Sequence, residues 1–284
     1  MASFHILLFC CVGLIGLVMG VLGSFVLLRQ ESLLGDAMAH AALPGIAFMV
    51  LCTWTKNPLL LLFGGNITSF AGIMLIQYIL HTTSLKRDAA LGIILSTFFG
   101  VGLLLLTIIQ KFPYANQSIL NKFIFGNAAL LLPYDFYLIS VVCGIVLLSV
   151  YCWWKEFLLM SFDQQYASNL GYSVKKISFI FNCVLIIAIG MGLQTVGVIF
   201  MSTMLVAPAA VARQWTHNIY IMVLLSGMLG IISSIIGAYI SIRYEHVPTG
   251  PITVVVISIL ILLSLIGAPK RGLIARALKN RMVE

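Results

Sequence analysis

An acid and a histidine lie four residues apart in a stretch that is otherwise apolar. They are Asp36 and His40, within LLGDAMAHAALPGIAF at residues 33–48. On a helix, residues four apart share one face with Cβ atoms about 5–6 Å apart, so both side chains can converge on one ion. A carboxylate with an imidazole suits borderline divalent metals such as zinc, manganese and ferrous iron. No cysteine flanks the pair, which disfavours a soft copper site.

The same spacing has a purely structural interpretation. Asp36 could cap a helix that begins at Ala37, while His40 bonds to a neighbouring helix. Spacing alone supports both interpretations equally. The stretch also holds residues that predict a broken or kinked span, and irregular backbone is tolerated at membrane depth where it lines a cavity. These pathway candidates are Gly35, Pro44 and Gly45.

The composition identifies an integral membrane protein. Of the 284 residues, 61% are hydrophobic and only 8% are charged, whereas about 25% are charged in ordinary soluble domains. The net charge of +8 raises the question of nucleic-acid binding. However, the basic residues lie in short connections and at the C-terminus, the distribution expected of cytoplasmic loops. We therefore predict no nucleic-acid partner.

The apolar segments predict an all-α bundle of nine transmembrane helices, or eight if one is miscounted. With the N-terminus outside and the C-terminus inside, most of the 16 Lys and Arg residues face the cytoplasm. One domain spans residues 1–284, and its basic tail, about 270–284, can contact anionic lipid. The predicted spans are Phe4–Leu28, Leu33–Trp54, Leu59–His81, Ala89–Gln110, Pro133–Trp154, Ile177–Leu193, Val196–Arg213, Ile219–Arg243 and Pro251–Ala268.

This topology places the acid–histidine pair inside the membrane. Asp36 lies about 10 Å beyond the cytoplasmic boundary, at about 1.5 Å per helical residue. A lone charge near mid-membrane costs at least about 2.5–3.5 kcal/mol, so the side chain should face a cavity or a partner. On the outer side, Glu245 and His246 are weaker candidates for capturing a cation, and a solvated turn is the alternative there.

A long inner connection predicts a short helix at about residues 161–171. Ser161 or Asp163 can cap its start, and Gly171 can end it in a left-handed conformation. It can either dock a partner or rest on lipid headgroups, and the sequence leaves both possibilities open. The apolar residues expected on one side are Tyr166, Ala167 and Leu170.

Five blocks of sequence together resemble the ABC-3 family of permease subunits, the membrane components of bacterial zinc, manganese and iron importers. The two most specific are GDAMAHAALPGIA, similar to the family's Gly-Asp-Ala…His-Ala…Leu-Pro-Gly signature, and SFDQQYASNLGY, similar to its Phe-Asp…Leu-Gly loop. The resemblance runs from about residue 29 to 268. The other blocks are KRDAALGIILSTFF, LQTVGVIFMSTMLVAPAAVAR and VPTGPITVVV.

The resemblance implies a transport subunit of a bacterial plasma membrane with no enzymatic activity and no resident cofactor. Two permease copies, identical or paralogous, would pair around a path in which Asp36 and His40 contact a transported divalent ion. An extracytoplasmic solute-binding protein would deliver the ion. Two copies of a separate ATPase would dock at the short helix. The residues implied in that contact are Ser161, Phe162, Asp163, Tyr166, Ala167, Leu170 and Gly171.

The chain departs from the family pattern in two places. Gln164 replaces the usual proline after Phe-Asp, and we expect the short helix to form nonetheless. The first span matches nothing in particular. Two alternatives keep the same fold class: a secondary metal transporter driven by an ion gradient, and an ABC permease for a metal chelate. A membrane-embedded enzyme lacks a supporting motif. The sequence does not name the metal.

Overall fold

The fold is a bundle of long helices, shown by a computed structural model that describes residues 2–53, 58–111, 133–244 and 247–268. These ranges contain no strand, which confirms the all-α prediction. Glu245, His246 and the basic tail lie outside them. The helices are α1 (Ala2–Leu28), α2 (Leu34–Thr53), α3 (Pro58–Thr82), α4 (Arg87–Gln110), α5 (Pro133–Cys152), α6 (Trp154–Phe162), α7 (Gln164–Asn169), α8 (Val174–Thr195), α9 (Val198–Trp215), α10 (Ile219–Arg243) and α11 (Thr249–Gly267).

Nine of the described helices, all but α6 and α7, are long and apolar enough to cross a membrane. This count confirms nine spans over eight. Strict alternation then puts the α1–α2 turn, the α3–α4 turn, α6 and α7 on one side, which we call the inner side. Contacts between these connections agree, because Arg87 at the start of α4 pairs with Glu31 in the α1–α2 turn.

Helix α2 occupies the centre of the bundle. In its apolar middle, 72% of the residues are buried, compared with 22% in each of α4, α5 and α11. It packs against α3, α4 and α9, and the Ser69 hydroxyl of α3 donates a hydrogen bond to the Met38 carbonyl of α2 at 2.9 Å. The fold therefore surrounds the helix that carries Asp36 and His40, while α4, α5 and α11 expose apolar surface.

Small residues let the backbones of α1 and α10 approach closely. A Cβ atom on Gly20 would clash with the carbonyl oxygen of Ser226, and one on Gly16 would clash with the carbonyl of Gly230. The Ser226 hydroxyl in turn donates to the Gly20 carbonyl at 2.6 Å. Packing of small residues with an interhelical hydrogen bond is a common way to hold helices together in lipid, where apolar burial alone supplies little attraction.

Replacing Gly20 with alanine should destabilise the bundle. The added methyl group has no space against Ser226, and such overpacking costs about 1–3 kcal/mol. We expect the midpoint of thermal unfolding of the detergent-solubilised protein to fall by several degrees. Gly92→Ala in α4 is the matched control, because nothing lies within 4 Å of its added Cβ. An equal midpoint for both variants would contradict the close crossing of α1 and α10.

Candidate functional site

The carboxylate of Asp36 and the imidazole of His40 meet on the first turns of α2. The helix begins at Leu34, so Asp36 lies inside it and does not cap a helix starting at Ala37. His40 Nε2 is 3.3 Å from Asp36 Oδ1. The capping alternative is therefore wrong, and the predicted convergence of the two side chains is confirmed.

The separation of the two side chains fits a shared ion. Donor atoms bound to one transition metal at about 2.0–2.2 Å, with tetrahedral or octahedral angles, lie about 2.8–3.6 Å apart. The 3.3 Å between Nε2 and Oδ1 falls in that range. The side chains are 35% exposed for Asp36 and 20% exposed for His40, so an ion can reach both.

An aromatic ring fixes the orientation of the imidazole. Phe99 of α4 meets His40 edge to face, with 4.7 Å between ring centroids. His40 Nδ1 is buried and has no hydrogen-bond partner among the described residues. A histidine that binds metal usually donates its second nitrogen to a carboxylate or carbonyl. Here packing against Phe99 orients the ring instead.

Pro44 changes the backbone hydrogen bonding of α2 just after the pair. In an α-helix, the N–H of residue 44 would donate a hydrogen bond to the carbonyl of His40. Proline has no backbone N–H, so this hydrogen bond is missing. Pro44 itself is buried inside a continuous α2, so this span is not broken at Pro44. A kink there, the other form that the sequence predicts, stays a prediction.

The two glycines of this segment serve close packing. A Cβ atom on Gly45 would clash with the Gly64 carbonyl of α3, and one on Gly35 would clash with the Leu205 side chain of α9. Both residues therefore let neighbouring helices approach α2. Glycine is required for space at position 45, where the obstacle is backbone, whereas at position 35 it leaves room for the end of the Leu205 side chain. The helix continues through both because packing overrides the weak helix propensity of glycine.

The pair is an incomplete ligand set by itself. The described residues contain no group of three or more His, Cys, Asp or Glu side chains that could hold a metal ion. Transition metals usually take four to six donors. The side chains of Asp36 and His40 are partly exposed, so further donors can approach them from outside this chain.

The short inner helix forms as the sequence predicts. Asp163 Oδ1 accepts hydrogen bonds from the backbone N–H groups of Gln165 and Tyr166, both at 2.9 Å, so Asp163 is the N-cap of α7. The Ser161 hydroxyl instead donates to the Phe157 carbonyl within α6. Gly171 ends the helix with φ +87°, as expected. Gln164 opens α7 in place of the family's proline, which confirms that the helix tolerates this departure.

The apolar residues of α7 divide between two faces. Ala167 is buried against the bundle, whereas Tyr166 and Leu170 are 54% and 53% exposed. With Phe162, which is 55% exposed, and Tyr172 they form an exposed apolar surface on the inner side, which we call the docking patch. The prediction that all three apolar residues share one side is therefore wrong for Ala167, which anchors the helix.

Three charged residues at the inner end of the bundle, Arg29, Glu31 and Arg87, were not identified from the spacing of residues in the sequence. Glu31 is buried and pairs with Arg87, and Arg29 lies over the Phe181 ring at 4.5 Å from its centroid. In the sequence, these arginines only suggested the cytoplasmic side of the membrane. Glu31 and Arg87 are 56 residues apart, so no local pattern announces their pairing.

Residues 3–268 match the family described as "ABC 3 transport family". The match includes the first span, which sequence reasoning had left without a counterpart. The chain is 43% identical over 266 residues to the manganese transport system membrane protein MntC of Bacillus subtilis, covering 94% of this chain and 61% of that protein. It is 38% identical over 269 residues to the zinc transport system membrane protein TroC of Treponema pallidum, covering 95% and 90%.

The fold also matches a solved structure, PsaBC from Streptococcus pneumoniae in complex with Fab. The TM-score is 0.81 and the sequence identity is 28%, with 96% of this chain and 94% of that chain covered. A match of this extent shows that the bundle has the same fold as that chain.

Asp163→Ala should loosen α7 without unfolding the bundle. It removes the acceptor for two backbone N–H groups, and loss of an N-cap costs about 1 kcal/mol. We expect backbone hydrogen exchange at residues 165–167 to accelerate severalfold while the thermal midpoint changes little. Ser168→Ala, an exposed change in the same helix, is the control. Equal exchange rates in both variants would show that the cap contributes nothing.

Proposed function

The chain belongs to the ABC 3 transport family, and from this premise we propose that it is the permease subunit of an ATP-binding-cassette importer for a divalent transition-metal ion. It is a multi-pass protein of a bacterial plasma membrane. The single observation that carries the proposal is the acid–histidine pair on α2, whose donor atoms are spaced as two ligands of one ion.

The transported ion binds Asp36 and His40 during its passage. A second permease copy, or a paralogue, packs near the exposed side of Asp36 and His40 and supplies the matching pair. Two carboxylates and two imidazoles then make four donors, with water completing the set. A site shared between subunits supports transport because separating the subunits breaks the ligand set and releases the ion.

Carboxylate and imidazole donors suit manganese, zinc and ferrous iron. The two relatives above are named for manganese and zinc transport, which supports the same class of cargo here. We propose that an extracytoplasmic solute-binding protein selects the metal and delivers it to the outer face. The permease then needs only moderate affinity, because an ion held too tightly would not leave toward the cytoplasm.

The energy comes from a cytoplasmic ATPase that docks on the docking patch. Its exposed apolar side chains surround a helix fixed by the Asp163 cap and anchored by buried Ala167. A partner that covers this patch therefore binds a helix, α7, that is fixed to the rest of the bundle. When two ATPase subunits close around ATP, the α7 helices of the two permease copies move together. The metal site then opens alternately to the outside and the inside.

Two other functions use the same fold. A gradient-driven transporter would use the same pair but would leave the docking patch without an ATPase. A permease for a metal chelate would not need an acid and a histidine in the membrane, because the chelate already satisfies the metal. The pair and the patch together therefore favour import of the ion itself, powered by ATP.

Removing either ligand should abolish import without removing the protein from the membrane. Asp36→Asn and His40→Gln keep the side-chain volume but weaken metal binding. Loss of an outer-shell partner already costs about 10–100-fold in metal sites, so loss of a direct ligand should lower uptake by about tenfold or more. The measurement is manganese and zinc uptake in cells lacking the native transporter, at matched membrane expression.

Asp88→Asn and His81→Gln are the matched controls for these ligand variants. They make the same chemical changes at exposed positions, at the start of α4 and the end of α3. Uptake in these controls should equal that of the unsubstituted protein. Normal uptake of both metals in Asp36→Asn and His40→Gln would refute the metal-path role.

Leu170→Ser should weaken ATPase binding by making the docking patch polar. Leu170 is 53% exposed, so this change should not unfold the bundle. We expect less ATPase to co-purify with the permease, and ATP-dependent uptake in proteoliposomes should fall in parallel. Ser168→Ala is again the control. Uptake without any ATPase that disappears when ionophores collapse the ion gradients would instead establish a secondary transporter.

A further inference from the structure

Arg29 joins three helices at the inner end of the bundle. Its Nη2 donates to the Ser178 hydroxyl of α8 at 3.2 Å and lies 3.6 Å from the Met160 sulfur of α6. The guanidinium also stacks over the Phe181 ring of α8. Since Arg29 directly follows α1, this one side chain connects α1, α6 and α8.

The guanidinium is only partly satisfied in this position. Arg29 Nε and Nη1 are buried and have no hydrogen-bond acceptor among the described residues. Burial lowers the pKa of Arg29, and the nearby Glu31 carboxylate opposes that shift. Arginine nevertheless keeps its charge in proteins. A buried cation with free donors is costly, so a conformation that gives it an acceptor would be favoured.

The natural acceptor is Glu31, two residues along the chain. Its carboxylate is buried and pairs with Arg87 of α4, which is about half exposed. Glu31 thus lies near two guanidiniums and binds one of them. This arrangement has two alternatives of similar chemistry, with Glu31 on Arg87 or on Arg29, as a two-state element requires.

Helix α6 is held firmly to α1 and α8 beside Arg29. Phe25, Phe157 and Phe181 form edge-to-face contacts with one another, at centroid distances of 5.2–6.4 Å. Trp154 meets Phe25 in the same way at 5.5 Å. A movement of the docking patch must therefore displace this aromatic cluster and the guanidinium above it.

A tight turn joins Arg29 to the metal-bearing helix. Gln30 takes a left-handed conformation at φ +58°, and the Glu31 N–H bonds to the Val26 carbonyl at 3.1 Å. The Leu34 N–H then bonds to the Glu31 carbonyl at 2.8 Å, where α2 begins. Because these hydrogen bonds hold the turn in one conformation, a displacement of Arg29 also displaces the start of α2, which carries Asp36.

We propose that Arg29 is a positioning residue that transmits movement of α6 and α7 to Asp36 and His40, as the Glu31 carboxylate exchanges between Arg87 and Arg29. This inference rests on the proposed function, because it assumes that an ATPase moves the docking patch. When α6 moves, Arg29 loses Met160 and Ser178 and takes Glu31. Releasing Arg87 frees α4, which carries the Phe99 ring packed on His40.

The test compares ATP hydrolysis with metal uptake in the same proteoliposomes, containing the full permease, its ATPase and its binding protein. Arg29→Met keeps an apolar chain over Phe181 but removes the charge and the donors. We expect ATP hydrolysis within about twofold of the unsubstituted complex and about tenfold fewer manganese ions imported per ATP, as loss of a coupling residue predicts. Arg29→Lys, which keeps the charge, should recover part of the coupling.

Arg213→Met is the matched control for Arg29→Met. Arg213 also lies at the inner end of a helix, and its Nη1 is 3.9 Å from the sulfur of Met222, a residue of α10 and not of α6. Its ratio of uptake to hydrolysis should equal that of the unsubstituted complex. If uptake and hydrolysis fall together in Arg29→Met, or if its ratio equals that of Arg213→Met, the coupling role is refuted.

Hydrogen exchange gives a readout that is independent of the cargo. Residues 30–37 should change their exchange rate when a non-hydrolysable ATP analogue binds the ATPase, and Arg29→Met should lose this change. A change that persists in Arg29→Met refutes the inference even if no metal is transported. The unsubstituted complex could also import no metal and still show a change in hydrogen exchange that is lost in Arg29→Met. That result would refute the proposed cargo and support the coupling role.

Discussion

The structure depends on one constraint: a polar or charged group inside a bilayer must have a partner. The Asp36 carboxylate meets it through His40, one turn away on α2. The hydroxyls of Ser69 and Ser226 meet it by donating to carbonyls of neighbouring helices. The pair on α2 differs from these, because His40 Nδ1 stays unsatisfied and the described chain offers no third ligand. The proposed site is thus suited to binding an ion transiently.

The same constraint organises the inner end. Glu31 is buried and pairs with the half-exposed Arg87, and Arg29 is partly buried against Met160, Ser178 and the face of Phe181. These charges lie between the exposed docking patch and the start of α2. The importer that we propose needs such a connection, because in that proposal ATP is hydrolysed on a separate subunit outside the membrane while the ion crosses within it. Buried charges that can change partners provide discrete alternatives, which a uniformly apolar interface would lack.

Local patterns predicted individual elements well. Periodic apolar runs identified the spans, and spacing of four predicted that Asp36 and His40 share a face. The short helix followed from its cap at Asp163 and its left-handed Gly171. The predicted break of this span does not occur, because α2 continues through Pro44, and Gly35 and Gly45 provide room for Leu205 and Gly64 of other helices. A glycine that permits close packing and a glycine that breaks a helix look alike in sequence.

The sequence by itself determined the membrane class, a bundle of eight or nine spans, the acid–histidine pair and the family, since each rests on composition or on residues close together in the chain. Only the tertiary structure decided that α2 is central, that Phe99 orients His40, and that Ala167 anchors α7 while Tyr166 and Leu170 face outward. It also brought Glu31 to Arg87 and Arg29 to α6 and α8. The physical reason is that these contacts join residues up to 149 positions apart, and only the packing of whole helices determines which of them meet.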